Sequence, residues 1–387
     1  MKVLVVCPWV PWPLESGGKT RTYHLLREAA RRVEIELFVV REPETDPAAA
    51  AALAAASASL AFFDRTPPGP GRRWARAKIE RWFHSAPLRA AIRDRLGRGA
   101  VDLVHLDELL LARCVPPDAR APVVVHHHKL DTVLHAALAP RPGSARRFDG
   151  WKLRRLERYA ARRFPHQVTC SLEDAALLRA RYEALDLEVV PSGFDPAHFR
   201  PADPPPPRDP ARLLFLGSMD YGPNEDGVSW FARAVLPALR ARHPGTVLEV
   251  VGPHPGPALR ALAGEGVAVV GRVPAVPERL ERCGVFVVPL RIGGGTRLKL
   301  VEALAMGAPA VSTTIGAEGL GLADGEHILL ADDPASFAAA VERLLANPRR
   351  AQELGRAGRA FVHARYRWET LAARLVAYWE RVASSSR

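Results

Sequence analysis

Short apolar runs of strand length, each followed by a helical stretch, recur along the chain, and this alternation is what most restricts the fold. Residues 2–7 form the first run, a Pro/Gly-rich loop spans Pro8 to Gly18, and helical spacing follows from about Lys19 to Arg31. The next run, residues 35–40, closes a βαβ unit and so predicts a parallel sheet. Further strands are expected at 103–106, 123–125, 167–170 and 187–190. The low-complexity stretch 48–56 reads as helix or loop.

The same alternation restarts later. Strands are expected at 213–216, 247–251, 267–270, 285–288 and 310–312, with helices at about 226–242, 257–263 and 296–306. Between the two series, residues 201–210 carry Pro201, Pro204 to Pro207 and Pro210, the composition of a semi-rigid connector. A chain of 387 residues accommodates two cores. The expectation is therefore an α/β protein of two Rossmann-like, doubly wound domains: 1–200, a linker at 201–210, 211–365, and a terminal segment 366–387.

Charge and cysteine usage narrow the classes. Four dispersed cysteines show neither a CxxC pair nor metal-ligand spacing, which predicts no zinc site, no disulfide framework and a reducing cytoplasm. The prolines after residue 7 break any signal-peptide core, and no apolar run reaches membrane-spanning length. Net charge is +12, and residues 1–190 hold 31 Lys/Arg against 22 Asp/Glu, so +9 of it lies there. Within that half, Arg72 to Arg98 sets Trp74, Ile79, Trp82, Phe83, Leu88, Ile92 and Leu96 among basic residues. The pattern fits either an amphipathic contact with anionic membrane or a solvated face over an ordinary core. No aromatic-interleaved nucleic-acid motif accompanies the charge, so no nucleic-acid partner is expected.

The most informative segment runs from Val287 to Val311. A buried strand enters Gly293-Gly294-Gly295 and then a helix, a turn in which backbone can approach a ligand and helix N–H groups can face an anion. Lys299 and Glu302, three apart, share a helix face, where an ammonium can meet a phosphate and a carboxylate can accept from ribose hydroxyls. In the first half, a strand ends in His126-His127-His128, and ligands of open α/β sheets lie beyond strand carboxyl ends. Neighbours on a strand point to opposite faces, which argues against metal binding by the run itself.

From Glu302 to Val311 the sequence resembles the Glu-Ala-x-Ala-x-Gly-x-Pro-x-Val string of family-4 retaining glycosyltransferases of the GT-B class. Val190 to Asp195, Leu216-Gly217-Ser218, Val270 to Val273 and Tyr366-Arg367-Trp368 extend the resemblance along nearly the whole chain. It implies two domains facing each other across a cleft and transfer of a sugar, with retention and without a metal or other cofactor. The donor would be a nucleotide-diphosphate sugar, and the acceptor hydroxyl would belong to a glycan or lipid-linked glycan. With the cysteine usage and the basic block Arg72 to Arg98, the expectation is a cytoplasmic enzyme, peripheral at the membrane's inner face.

By the same resemblance Glu302 binds the donor ribose, and Gly17, Gly217, Ser218, Arg272, Gly294, Gly295 and Thr296 line the donor. The family's first acid is replaced by Gly294, and its Arg and Lys after the first strand of the second domain are missing. Arg297 and Lys299 therefore take the expected place of the diphosphate clamp. The Ser16-Gly17-Gly18 loop resembles the family's glycine loop, so Gly18 joins His128, and after it His127, as the expected catalytic group. The alternatives are a GT-B nucleotide-sugar epimerase or phosphorylase, and a non-catalytic lipid- or nucleic-acid-binding relative.

Overall fold

The computed structural model describes residues 1–41, 46–69, 76–99, 101–137, 145–264 and 266–385. The chain divides into two compact units, one of Met1–Pro191 with Trp368–Arg387, the other of Ser192–Arg367.

In the first unit, β1 (Lys2–Cys7), β2 (Glu34–Arg41), β3 (Ser59–Asp64), β4 (Leu103–Leu106), β5 (Val123–His127), β6 (His166–Thr169) and β7 (Asp186–Val189) form one sheet. Their order is β3-β2-β1-β4-β5-β6-β7, and every pairing is parallel. Sheets of this kind are covered on both faces, which explains why β1 and β4 read as apolar runs and are buried almost throughout. The order reverses between β1 and β4, so the crevice beyond their carboxyl ends is the natural ligand position. β3 was not expected; its residues are mostly half-buried and it lies at the sheet edge, so it lacks the strong apolar run of a central strand.

The C-terminal helix Trp368–Ser385 completes this unit. It packs on the helix Gly17–Ala29, and Trp368 stacks on His24 with 5.6 Å between ring centroids. Tyr378 Oη donates to Asp186 O (2.8 Å), and Trp379, fully buried, donates its Nε1–H to His105 Nδ1 (3.2 Å).

The basic block proves largely structural. Leu88 and Ile92 are fully buried, and Ile79, Phe83 and Leu96 pack against the same core. Its apolar face is therefore interior, and among its described large apolar residues only Trp82 stands out, at 63% exposure. Residues 72–75, with Trp74, lie outside the described residues.

In the second unit, β8 (Asp209–Leu216), β9 (Val247–Val251), β10 (Val267–Gly271), β11 (Cys283–Val288), β12 (Ala310–Ser312) and β13 (Leu329–Leu330) are ordered β10-β9-β8-β11-β12-β13. All pairings are again parallel, and the order reverses between β8 and β11. The division between units falls at residue 191, ahead of the expected linker 201–210. Phe194 and Phe199 are buried in the second core, and Phe194 bridges to Arg367, which binds 192–199 to the second unit. Asp209 and Pro210 already belong to β8. No helix among the described residues is long and apolar enough to cross a membrane.

Helix contacts in this unit leave no room at Gly355. A Cβ on Gly355 would overlap the carbonyl oxygen of Gly307, which is backbone and cannot swing aside. Gly355→Ala is therefore expected to lower stability by about 1–3 kcal/mol. Gly97, on a helix with open space around it, should accept alanine without loss. Thermal unfolding of the two variants checks the contrast.

Candidate functional site

At the second unit's switch point, β8 ends at Leu216 and runs into Gly217, while β11 runs into the 293–297 turn. A Cβ on Gly217 would lie 2.6 Å from Asn224 Nδ2 and 2.7 Å from Lys299 Nζ, so the glycine admits both side chains to one spot. Gly252, at the end of β9 with φ of +148°, lets that strand close on the Gly217 carbonyl. Lys299 Nζ donates to Asn224 Oδ1 (2.6 Å) and sits 4.1 Å from the centroid of the Phe215 ring. Asn224 Nδ2 in turn donates to Ser218 O (2.7 Å). Asn224 was not expected, because the resemblance directed attention to the missing Arg and Lys.

The helix Leu298–Ala305 starts just after the glycine turn, and no side chain caps it. Lys299 and Glu302 are half-buried on it. Burial lowers the Lys299 pKa well below its ordinary value, helped by the Arg297 charge, and raises the Glu302 carboxyl to about 8 against the pull of Lys299. Shifts of this kind favour a ligand that supplies negative charge to the lysine and hydroxyl donors to the carboxylate.

Arg297 departs from its expected place in the clamp. Its guanidinium turns inward, donating to the carbonyls of Gly294 (2.7 Å), Gly295 and Ile315 (2.9 Å), and is 6% exposed. A Cβ on Gly293 would lie 2.6 Å from Arg297 Nη2. The three glycines thus wrap a cation that holds the turn, with Gly295 at φ +68°. Thr296 Oγ1 accepts from Ser192 N (2.8 Å), fixing the turn to the start of the unit. Ser218 donates its hydroxyl to Asp220 Oδ1 (2.5 Å). Arg272 is exposed after the edge strand β10, with β9 between it and the switch point.

The first unit's switch point gathers a different set. His128 Nε2 lies 3.2 Å from Asp107 Oδ1, and a Cβ on Gly18 would lie 3.6 Å from His128 Nδ1, so the expected pair Gly18 and His128 does meet. Gly17 opens the adjoining helix, whose N-cap Ser16 accepts from Lys19 N. His127 points to the opposite face, where its Nε2 meets Gln167 Oε1 at 2.9 Å. It is fully buried, which lowers its pKa, and it serves the packing there rather than the Gly18–His128 group.

Asp107 and Glu108 were missed. The signal was present as a charged pair directly after an apolar strand, at a carboxyl end. Asp107 also faces His126 Nδ1 (3.4 Å) and His105 Nε2 (3.9 Å), and Thr22 Oγ1 donates to its Oδ2 (2.6 Å). Burial would raise its pKa, but His128 and the hydrogen bonds of His126 and His128 together hold it well below the carboxylate range. Burial keeps His105 and His126 neutral, His105 at about 4. Glu108 is almost wholly buried with neither oxygen hydrogen-bonded among the described residues, and burial raises it above the carboxylate range.

His105, Asp107 and His126 could geometrically hold a metal, their ligand atoms lying within 4.8 Å of one another. The hydrogen bonds favour another use. Arg21, a donor only, contacts His126 Nε2 (2.9 Å), and Trp379, a donor only, contacts His105 Nδ1. The nitrogens that face Asp107 therefore carry the hydrogens, and the carboxylate is ringed by donors.

Two family models match the chain: "Glycosyltransferase Family 4" over residues 16–198 and "Glycosyl transferases group 1" over residues 210–347. A GDP-mannose-dependent alpha-(1-6)-phosphatidylinositol monomannoside mannosyltransferase of Mycolicibacterium smegmatis is 29% identical over 65% of this chain and 77% of its own. A glycogen synthase of Mycobacterium tuberculosis is 28% identical over 70% of this chain and 66% of its own. Among solved structures, sucrose-phosphate synthase from Thermosynechococcus elongatus superposes over 100% of both chains with a TM-score of 0.78 at 18% identity. Anabaena HepE in complex with UDP-glucose covers 100% of this chain and 99% of its own, with a TM-score of 0.67 at 14% identity. These structures bear out the two Rossmann-like sheets. The named relatives favour sugar transfer over an epimerase, a phosphorylase or a non-catalytic binder.

A carboxyl raised from 4.5 to about 8 on folding is held protonated, so its contribution to stability is present below pH 4.5 and is lost as pH rises through 8. Glu302→Gln should flatten that decline and exceed the parent protein in melting temperature at pH 9. Thermal melts from pH 5 to 9 measure both.

Proposed function

The chain belongs to the family-4 glycosyltransferases of the GT-B class, and on that premise we propose that its second unit binds a nucleoside-diphosphate sugar for retaining transfer to an acceptor hydroxyl. The observation that carries this is the meeting of Gly217, Asn224 and Lys299 at the β8/β11 switch point, with Glu302 one helical turn on. Lys299 and the uncapped helix start meet the diphosphate, and Glu302 accepts from the ribose. Arg297 contributes by shaping the glycine turn. The charge that develops on the leaving diphosphate is stabilised by these fixed groups without a metal, and EDTA should leave turnover unchanged.

The relatives named for GDP-mannose and for UDP-glucose set the donors to test, and the phosphatidylinositol-linked acceptor of one relative supports a lipid-linked glycan here. Three exposed aromatics of the first unit agree with an anionic membrane surface. Trp82, Phe148 and Trp151 lie beneath or beside Arg65, Lys152 and Arg155, with 4.5–5.0 Å between cation and ring centroid. Lys78 N donates to the Asp149 carboxylate (2.9 Å), which joins the two helices that carry them. This surface replaces the wider Arg72 to Arg98 face as the docking element. The reading is of a cytoplasmic enzyme, peripheral at the inner face of the membrane.

Lys299→Met is expected to weaken binding of a nucleoside diphosphate by about 1.5–3 kcal/mol while leaving the bare nucleoside nearly unaffected. Calorimetry with the two ligands tests the assignment, and equal losses would place Lys299 away from the phosphates. Transfer itself is tested by acceptor-dependent release of the nucleoside diphosphate, with the product anomer read by NMR. Replacing Trp82, Phe148 and Trp151 with Ser should reduce co-sedimentation with phosphatidylglycerol vesicles. Unchanged sedimentation would remove the membrane assignment.

A further inference from the structure

The group around Asp107 is more ordered than a packing role requires. Arg21 can only donate, so His126 Nε2, 2.9 Å away, accepts and His126 Nδ1 carries the hydrogen that faces Asp107. Trp379 can only donate, so His105 Nδ1 accepts and its Nε2 carries hydrogen. Thr22 adds a hydroxyl donor at 2.6 Å. Thr22 and His128 thus lie at hydrogen-bond distance from Asp107, and the hydrogens of His126 Nδ1 (3.4 Å) and His105 Nε2 (3.9 Å) face the same carboxylate from further away. His128 Nε2, at 3.2 Å from Oδ1, must then carry a hydrogen, and in the neutral ring this leaves a lone pair on Nδ1.

That Nδ1 is buried and has no hydrogen-bond partner among the described residues. It faces Gly18, where the absent side chain leaves space for one atom at ordinary contact distance, 3.6 Å from Nδ1 and 3.6 Å from the edge of Trp9. The position lies beyond the carboxyl ends of β1, β4 and β5, at the switch point of the sheet. We propose that Asp107 is a positioning residue that fixes His128 in its Nε2–H tautomer, so that Nδ1 accepts a hydrogen bond from a substrate hydroxyl beside Gly18. The substrate part rests on the glycosyl-transfer reading, while the tautomer part stands without it.

Long-range ¹H–¹⁵N correlation spectra of protein labelled in its imidazoles measure the tautomer directly, with the His128 signals assigned by their loss in His128→Asn. The expected result is hydrogen on Nε2 of His128 in the parent protein and a population with hydrogen on Nδ1 in Asp107→Asn. Turnover of the donor should fall by about 10- to 100-fold in Asp107→Asn, with the donor KM within about twofold. His128→Asn, whose amide oxygen can stand near the place of Nδ1, should retain more turnover than His128→Gln, which reaches only the Asp107 side. Gly18→Ala should leave the tautomer unchanged and lower turnover, because its methyl fills the space at Nδ1.

Hydrogen on Nδ1 of His128 in the parent protein would overturn the proposal, as would an Asp107→Asn variant with unchanged tautomer and kcat. Should that variant melt too low to assay, equal turnover of the His128→Asn and His128→Gln proteins overturns it instead. A parent protein that transfers no sugar from any donor would sink the glycosyl-transfer reading, and the spectra would still decide the role of Asp107.

Discussion

Parallel pairing governs both halves of this molecule. A parallel strand cannot return by a tight turn, so each connection crosses a face of the sheet and buries it, and all strand carboxyl ends emerge on one edge. Where the strand order reverses, connections depart to opposite faces and leave a crevice whose walls are strand ends and helix starts. Each sheet has one such place, between β1 and β4 and between β8 and β11. The polar groups with the most unusual environments, Asp107 with His128 and Lys299 with Glu302, are found at those two places.

The two crevices solve the problem of buried charge in opposite ways. In the first unit a carboxylate is kept ionised by surrounding it with hydrogens from Thr22 and neutral imidazoles, whose orientation is set by Arg21 and Trp379. His128 Nδ1 and both oxygens of Glu108 are among the buried atoms of this group that find no hydrogen-bond partner among the described residues. In the second unit burial shifts Lys299 and Glu302 towards their neutral forms, and in the proposed function the diphosphate brings the charge that Lys299 meets.

Much of this was legible in the sequence because central parallel strands are apolar on both faces and announce themselves as short continuous runs. The edge strand β3 was not, since its residues are only half-buried, nor was β13, only two residues long. The glycine turn before the helix Leu298–Ala305 and the histidine run ending β5 were visible from residue type and position. What spacing could not supply was direction. Arg297 was as good a phosphate ligand on paper as Lys299, yet its side chain folds back onto carbonyls of its own turn. His127 and His128 differ by one position and face opposite ways. Asn224 meets Lys299 only because Gly217 has no side chain to keep them apart.

The first unit is discontinuous along the chain, its final helix lying beyond all 176 residues of the second, from Ser192 to Arg367. During synthesis from the N-terminus, the seven strands of its sheet are all made before the tryptophans that cover the helix Gly17–Ala29 exist. For that interval His24 lacks its stacking partner, His105 lacks the indole that sets its tautomer, and an apolar helix face stays open. The contacts that orient His24 and His105 thus join the two ends of the first unit across the whole of the second.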